Sequence, residues 1–162
     1  MNWDAIGAIG EVAGASVVIV TLIYLSRQVR NNLIESRLAA VHELSATYTA
    51  WIQTISASSE LAKIWSVGLI DFDDLDEVEK TRFLLHCSAG MRIFEDAYVQ
   101  YRSGRMNETD WHPYENLMRM NAGTSGMAAY MERRKGLHSP DYESLVLKMM
   151  ANSTPGTGSL FQ

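Results

Sequence analysis

Residues 5–25 read AIGAIGEVAGASVVIVTLIYL and contain one charged side chain, Glu11. As an α-helix rising about 1.5 Å per residue, this stretch would be about 30 Å long, which matches the hydrocarbon core of a bilayer. Its Ile, Val and Leu side chains favour insertion by roughly 3–6 kcal/mol, whereas one central acid opposes it by about 2.5–3.5 kcal/mol. We therefore expect residues 1–26 to be a membrane-spanning segment; a buried helix of a soluble bundle is the alternative.

The charges that flank this segment differ in sign. Asp4 precedes it, and Arg27 and Arg30 follow it directly. The positive-inside rule then predicts an N-terminus on the outer side of the membrane and residues 27–162 in the cytoplasm. The start is acidic and the apolar run ends without a small-residue cleavage site, so we expect a retained single-pass helix rather than a cleaved signal peptide.

Small residues line one side of the predicted span. Gly7, Gly10, Gly14 and Thr21 recur at heptad steps, and Gly10 with Gly14 forms a GxxxG pattern. Because small side chains let two helices approach closely in lipid, this glycine seam predicts a homo-oligomer formed through the transmembrane helix. Packing of the same seam against a different protein, or against nothing, is the alternative.

Glu11 lies beside the glycine seam. An acid within a membrane usually faces a partner, a water-filled cavity or an ion path. In a closed oligomer it would form a ring of carboxylates around an axial pore, an arrangement typical of cation channels. Alternatively, Glu11 reaches the outer interface or, when protonated, hydrogen-bonds a neighbouring helix.

The helical pattern continues beyond the span. No Gly or Pro occurs between Ala15 and Val67, and apolar residues recur every three or four positions from Ile34 to Ile55. We expect the first helix to run without a break to about residue 55. Start and stop signals predict further helices. They run from Ser59 or Glu60 to Val67, ended by Gly68; from the acidic run 71–79 to Ser103; from Asp110 to Ala122; and from Ser125 to Lys135. A last helix follows, with Ser139 as its N-cap and Pro140 at its first position. The fold predicted is all-α: a cytoplasmic bundle of about five to six helices over residues 27–151, followed by a turn-rich tail, 152–162.

Composition and motifs argue against several functional classes. The chain has 14 Lys and Arg against 19 Asp and Glu, so we expect no nucleic-acid partner. One cysteine, Cys87, allows no intramolecular disulfide and no multi-cysteine zinc site. The four His form no metal-binding pair, and no phosphate loop or nucleophile motif is present. We expect no enzyme activity, no cofactor and no metal.

One charged cluster lies within a predicted apolar stripe. Arg92 is one helical turn from both Glu95 and Asp96. This spacing predicts an intrahelical ion pair that, if partly buried, would fix the register between helices. A ligand-binding role for the same three residues is the alternative.

Three segments resemble a family of small uncharacterised bacterial proteins: WDAIGAIGE (3–11), TLIYLSRQVR (21–30) and RIFEDAY (92–98). The members have an N-terminal transmembrane helix and a helical cytoplasmic domain. The resemblance implies a protein of the bacterial inner membrane, and it implies no reaction and no catalytic residue.

Three functional hypotheses follow from these observations. The first is a membrane-anchored, self-associating scaffold whose partners are itself, membrane lipid and a protein bound to the cytoplasmic bundle. The second is a small homo-oligomeric cation channel with Glu11 facing the pore. The third is an accessory subunit of a larger membrane complex.

Overall fold

A computed structural model describes the backbone of residues 3–153 and the side chains of Glu11 and residues 14–153. Over this range the protein is all-helical, as the sequence predicts. The helices are α1 (Trp3–Ser56), α2 (Ser59–Ile70), α3 (Glu77–Arg102), α4 (Glu108–Ala122), α5 (Ser125–Arg133) and α6 (Pro140–Ala151), with a short 3-10 helix at Phe72–Asp74.

The chain divides into two compact units, Met1–Ala39 and Ala40–Gln162. The sequence predicts a boundary near residue 26, because the first basic side chain is Arg27. Within the described residues, no helix is both long enough and apolar enough to cross a membrane. Within the predicted span, the structure does not describe the side chains of residues 5–10, 12 and 13.

Capping side chains set where the helices begin. Ser58 accepts a hydrogen bond from the backbone N–H of Leu61 at the start of α2. Asp76 and Glu79 form a capping box at the start of α3: each side chain accepts a hydrogen bond from the backbone N–H of the other, at 2.8 and 3.0 Å. Asn107 accepts from the N–H of Asp110 and starts α4 at Glu108, two residues earlier than predicted.

Two predicted boundaries differ because distant packing overrides the local signal. The acidic run 71–79 does not begin α3 directly. Phe72 and Leu75, which lie within the run, are buried, and the chain forms a 3-10 helix there before α3 begins at Glu77. Gly68 does not end α2. A Cβ atom on Gly68 would lie 2.5 Å from Cδ2 of Phe83, so glycine is required there for close packing.

The core of the unit 40–162 surrounds α3, which packs against α2, α4 and α5, while α4 also packs against α6. Phe83, Tyr130 and Tyr142 are fully buried. The C-terminal part of α1 contributes Leu44, Tyr48, Trp51 and Ile55 to the same core. This bundle fixes the position of the polar cluster described next.

Candidate functional site

A buried carboxylate, Glu95, is the centre of the most connected polar cluster in the bundle. Glu95 lies on α3, and its side chain is 8% exposed. Oε2 accepts hydrogen bonds from Nδ1 of His138 at 2.7 Å and from Nη1 of Arg92 at 3.0 Å. Oε1 accepts from the backbone N–H of Ser139 at 2.7 Å. Three residues from two regions of the chain therefore donate hydrogen bonds to one carboxyl group.

The cluster extends from His138 to a buried tyrosine of α5. Nε2 of His138 lies 2.8 Å from the hydroxyl oxygen of Tyr130, which is fully buried. The ring of Tyr142 packs edge-on against His138 at a centroid distance of 5.5 Å. Arg92 also donates from Nη2 to the carbonyl of Leu137 at 3.2 Å. The network thus joins α3 to α5 and to the connection between α5 and α6.

Local backbone features bring His138 to this position. Gly136 adopts φ of +82°, a conformation that favours glycine, and its N–H donates to Oε1 of Glu143 at 2.7 Å. Pro140 occupies the first turn of α6. Ser139 makes no side-chain cap; its N–H donates to Glu95 instead. A buried carboxylate from α3 therefore satisfies a free N–H at the start of α6.

Burial and hydrogen bonding act in opposite directions on Glu95. Burial raises the pKa of the carboxyl, but hydrogen bonds from His138 and Ser139 lower it more, so the pKa lies below its ordinary value. Glu95 is then an acceptor at neutral pH, and Nδ1 of His138 must carry the proton between them. Burial raises the pKa of both Tyr130 and Tyr142, which keeps their hydroxyl groups protonated.

The order carboxylate, imidazole, hydroxyl also occurs in nucleophilic catalysis. Here the hydroxyl belongs to Tyr130, whose side chain is 0% exposed, so a substrate cannot reach it in this structure. The geometry fits a cross-link between helices. A cavity of about 50 Å³ elsewhere in the bundle, lined mainly by apolar residues including Trp51, Cys87, Met91 and Met118, is also too small for an organic cofactor.

The structure brings only part of the predicted ion-pair cluster together. Arg92 and Glu95 pair as described, whereas Asp96 is exposed and accepts a hydrogen bond from the Gln100 amide at 3.2 Å. His138 and Tyr130 were not predicted as partners of Glu95. They are 43 and 35 positions away in the sequence, so no local spacing could have indicated the contact. Over the described residues, no group of three or more metal-ligating side chains occurs.

The predicted membrane-facing residues lie in α1. Glu11, Gly14 and Thr21 are exposed, and the Thr21 hydroxyl donates to the carbonyl of Val17 at 2.8 Å. No heavy atom other than those of the adjoining turns of α1 lies within 4 Å of the place a Cβ on Gly14 would occupy. Gly7 and Gly10 belong to α1, but their surroundings lie outside the described range.

Residues 17–25 form an exposed apolar surface. Eight of the nine side chains are large and apolar, and their exposed fractions run from 47% at Leu25 to 66% at Val17 and Val20. Nine consecutive helical positions point in every direction around the axis. This surface therefore encircles α1 rather than forming one stripe.

Comparison with known proteins found no matching family model, no similar curated protein and no similar solved structure. The resemblance to the bacterial family stays a prediction from the three quoted segments.

Proposed function

We propose that this protein is a single-pass, membrane-anchored helical scaffold of the bacterial inner membrane that self-associates through α1 and carries no catalytic site. The observation that carries the proposal is the apolar surface that encircles residues 17–25. A helix that is apolar on every side is normally buried in protein or in lipid. A helix that packs on one face of a bundle needs only one apolar stripe.

The length of the anchor depends on two adjoining segments. Residues 14–25 alone would extend about 18 Å, which is shorter than a hydrocarbon core of about 30 Å. Residues 5–13 add nine positions with one charged side chain, Glu11. The proposed anchor therefore includes both segments, and the positive-inside rule orients it with residues 27–162 in the cytoplasm.

Self-association is supported by Gly14 and Thr21. These residues are seven positions apart and therefore share one side of α1. Gly14 leaves open space, and the hydroxyl proton of Thr21 is already bonded to the backbone of its own helix. Neither residue therefore presents a large side chain or an unbonded hydrogen-bond donor that would oppose the close approach of a second helix in lipid.

A cation channel is the second candidate, and Glu11 is the observation that favours it. Glu11 is exposed and has no ion-pair partner among the residues that the structure describes. Replacement by Gln would reduce cation flux in liposomes if a ring of carboxylates lines a pore. A scaffold shows no flux with either residue.

Flotation and particle mass test the scaffold proposal together. Purified full-length protein should float with phosphatidylcholine vesicles at high salt, because anchoring by apolar side chains is not screened. The detergent-extracted particle should have a protein mass that is a multiple of the 18.1 kDa chain. Failure to float would exclude the anchor, and a monomeric mass would exclude self-association.

A further inference from the structure

The basic residues of α1 between residues 1 and 39 all lie on one side of the helix. They are Arg27, Arg30 and Arg37, and at 3.6 residues per turn they fall within a sector of about 80°. Glu35 is the nearest acid in sequence, and it points roughly 80–160° away from each of them. Positive charge is therefore segregated onto one face, which we call the arginine face.

The arginine face has no partner among the described residues. All three side chains are exposed, and none forms an ion pair there. Ile34 and Leu38 lie on the same side and are 50% and 57% exposed. Arginine stems can cover such apolar side chains while their guanidinium groups bind anions. The surface therefore combines two exposed apolar side chains with three positively charged guanidinium groups.

The arginine face also lies about half a turn around the helix from Gly14 and Thr21. In an oligomer formed through the glycine seam, the arginines would point outward. Contact between two copies along the arginine face would instead bring like charges together in parallel helices, which opposes association. A second copy therefore fits the glycine seam, and an anionic surface fits the arginine face.

We propose that Arg27 and Arg30 bind the anionic headgroups of membrane lipid beside the anchor, and that Arg37 adds a longer-range attraction to the same anionic surface. The proposal rests on the membrane anchoring proposed above. Measured along the helix axis, Arg27 and Arg30 lie about 3 and 8 Å beyond Leu25, within or at the edge of the headgroup layer. Arg37 lies about 18 Å beyond Leu25, so its attraction to the surface is longer-range and more strongly screened.

The net charge of the remaining chain does not attract it to anionic lipid. Residues 40–162 contain 11 basic and 16 acidic side chains, a net charge of -5, so an anionic membrane repels this unit. Attraction to anionic lipid must then come from a localised basic surface rather than from net charge. Each arginine in the headgroup layer is expected to favour an anionic lipid about fivefold.

Energy transfer to labelled lipid tests the proposal in the full-length protein. A Ser26→Cys variant would carry the fluorophore at the start of the arginine face. The native Cys87 is buried, and burial raises the pKa of its thiol, so it should not react. The protein is reconstituted into mixed phosphatidylcholine and phosphatidylglycerol vesicles, and either lipid carries the acceptor.

The arginine variant is Arg27→Gln, Arg30→Gln and Arg37→Gln. The control is Lys63→Gln, Arg105→Gln and Lys135→Gln, which removes the same charge from exposed positions of the bundle. We expect phosphatidylglycerol to be enriched around the unchanged arginines and around the control, and not around the arginine variant. Single substitutions at Arg27 or Arg30 should remove more enrichment than one at Arg37.

Two results would overturn the proposal. One is equal enrichment of the two lipids around the unchanged arginines, which would point to an acidic protein as the partner of this face. The other is equal loss in the arginine variant and the control, which would attribute the effect to net charge. Failure of the anchor is distinguishable, because the protein would then leave neutral vesicles yet still bind phosphatidylglycerol vesicles through these arginines.

Discussion

His138 donates a 2.7 Å hydrogen bond from Nδ1 to Oε2 of Glu95, a residue 43 positions earlier in the chain. Both side chains are almost fully buried. The contact joins the centre of α3 to the residue that precedes the N-cap of α6. It therefore holds the connection between α5 and α6 against the core through a charged carboxylate. Loss of either partner would leave the other buried without this hydrogen bond.

Replacement of Glu95 by Gln should destabilise the bundle and alter its response to acid. We expect a loss of about 1.5–3 kcal/mol in the free energy of unfolding at neutral pH, since hydrogen bonds to a charged group are lost. The folded-state pKa lies below the ordinary value of 4.5, so the carboxylate's contribution is complete above about pH 4.5 and is lost as the pH falls through the folded-state pKa. Urea unfolding at several pH values would measure both effects.

Asp96→Asn is the matched control, because Asp96 is adjacent, exposed and bonded to Gln100 alone among the described side chains. Its effect should stay within about 0.5 kcal/mol. Equal acid sensitivity in Glu95→Gln and the unsubstituted protein would argue against an ionised Glu95.

Removal of the Tyr130 hydroxyl should destabilise the bundle by about 1 kcal/mol, because Nε2 of His138 loses its partner. Tyr142→Phe provides the comparison. Tyr142 is equally buried, but its hydroxyl contacts only the sulfur atoms of Met91 and Met118, at 3.8 and 4.0 Å, which are weak acceptors. The urea midpoint should therefore fall more for Tyr130→Phe than for Tyr142→Phe. The reverse order would show that the His138 contact contributes little.

Gly90→Ala should destabilise the packing of α1 on α3. The added Cβ would lie 2.5 Å from Cζ2 of Trp51, and the indole ring is held by a hydrogen bond from Nε1 to the carbonyl of His86. Overpacking of this kind typically costs about 1–3 kcal/mol. Gly14→Ala is the same change at a position where a Cβ would meet no heavy atom within 4 Å beyond the adjoining turns of α1, so it should not destabilise the fold. Thermal unfolding of the two variants would compare them, and similar melting temperatures would contradict the predicted clash.

Gly14→Leu should reduce the oligomer mass in detergent, since a large side chain prevents close approach along the glycine seam. Ala15→Leu introduces the same side chain at an exposed neighbour that points about 100° away. It should leave the mass unchanged. If both variants retain the oligomer, the seam is not the contact; if both lose it, the contact does not depend on that side of α1.

Local sequence signals predicted the helices better than the contacts between them. The end of α1 at Ser56, the start of α5 at Ser125 and the start of α6 at Pro140 follow from turn-forming residues or a proline within a few positions, although Ser139 makes no side-chain cap. The start of α3 was wrong because Phe72 and Leu75 are drawn into the core, which no local pattern of acids reveals. The prediction that Gly68 ends α2 is wrong, because its small size allows close packing against Phe83 on another helix.

The candidate site shows the same division. The Arg92–Glu95 contact spans one helical turn and could be proposed from spacing. His138 and Tyr130 join the cluster only after α5 and α6 fold against α3, so their roles could not be predicted from one sequence. Asp96 was equally close to Arg92 by spacing, but it lies on the exposed side of α3. Burial, which depends on tertiary packing, separates the two acids.

Alkaline extraction of cell membranes shows whether α1 anchors the protein in the bilayer. Val17→Arg with Val18→Arg would add about 5–7 kcal/mol to the insertion free energy, enough to cancel the roughly 3–6 kcal/mol favoured by the aliphatic side chains. Val78→Arg with Leu85→Arg makes the same change on exposed aliphatic residues of α3. If α1 anchors the protein, the unsubstituted protein and the α3 variant stay in the membrane pellet, while the α1 variant does not. Release of the unsubstituted protein by alkaline carbonate would contradict anchoring by α1.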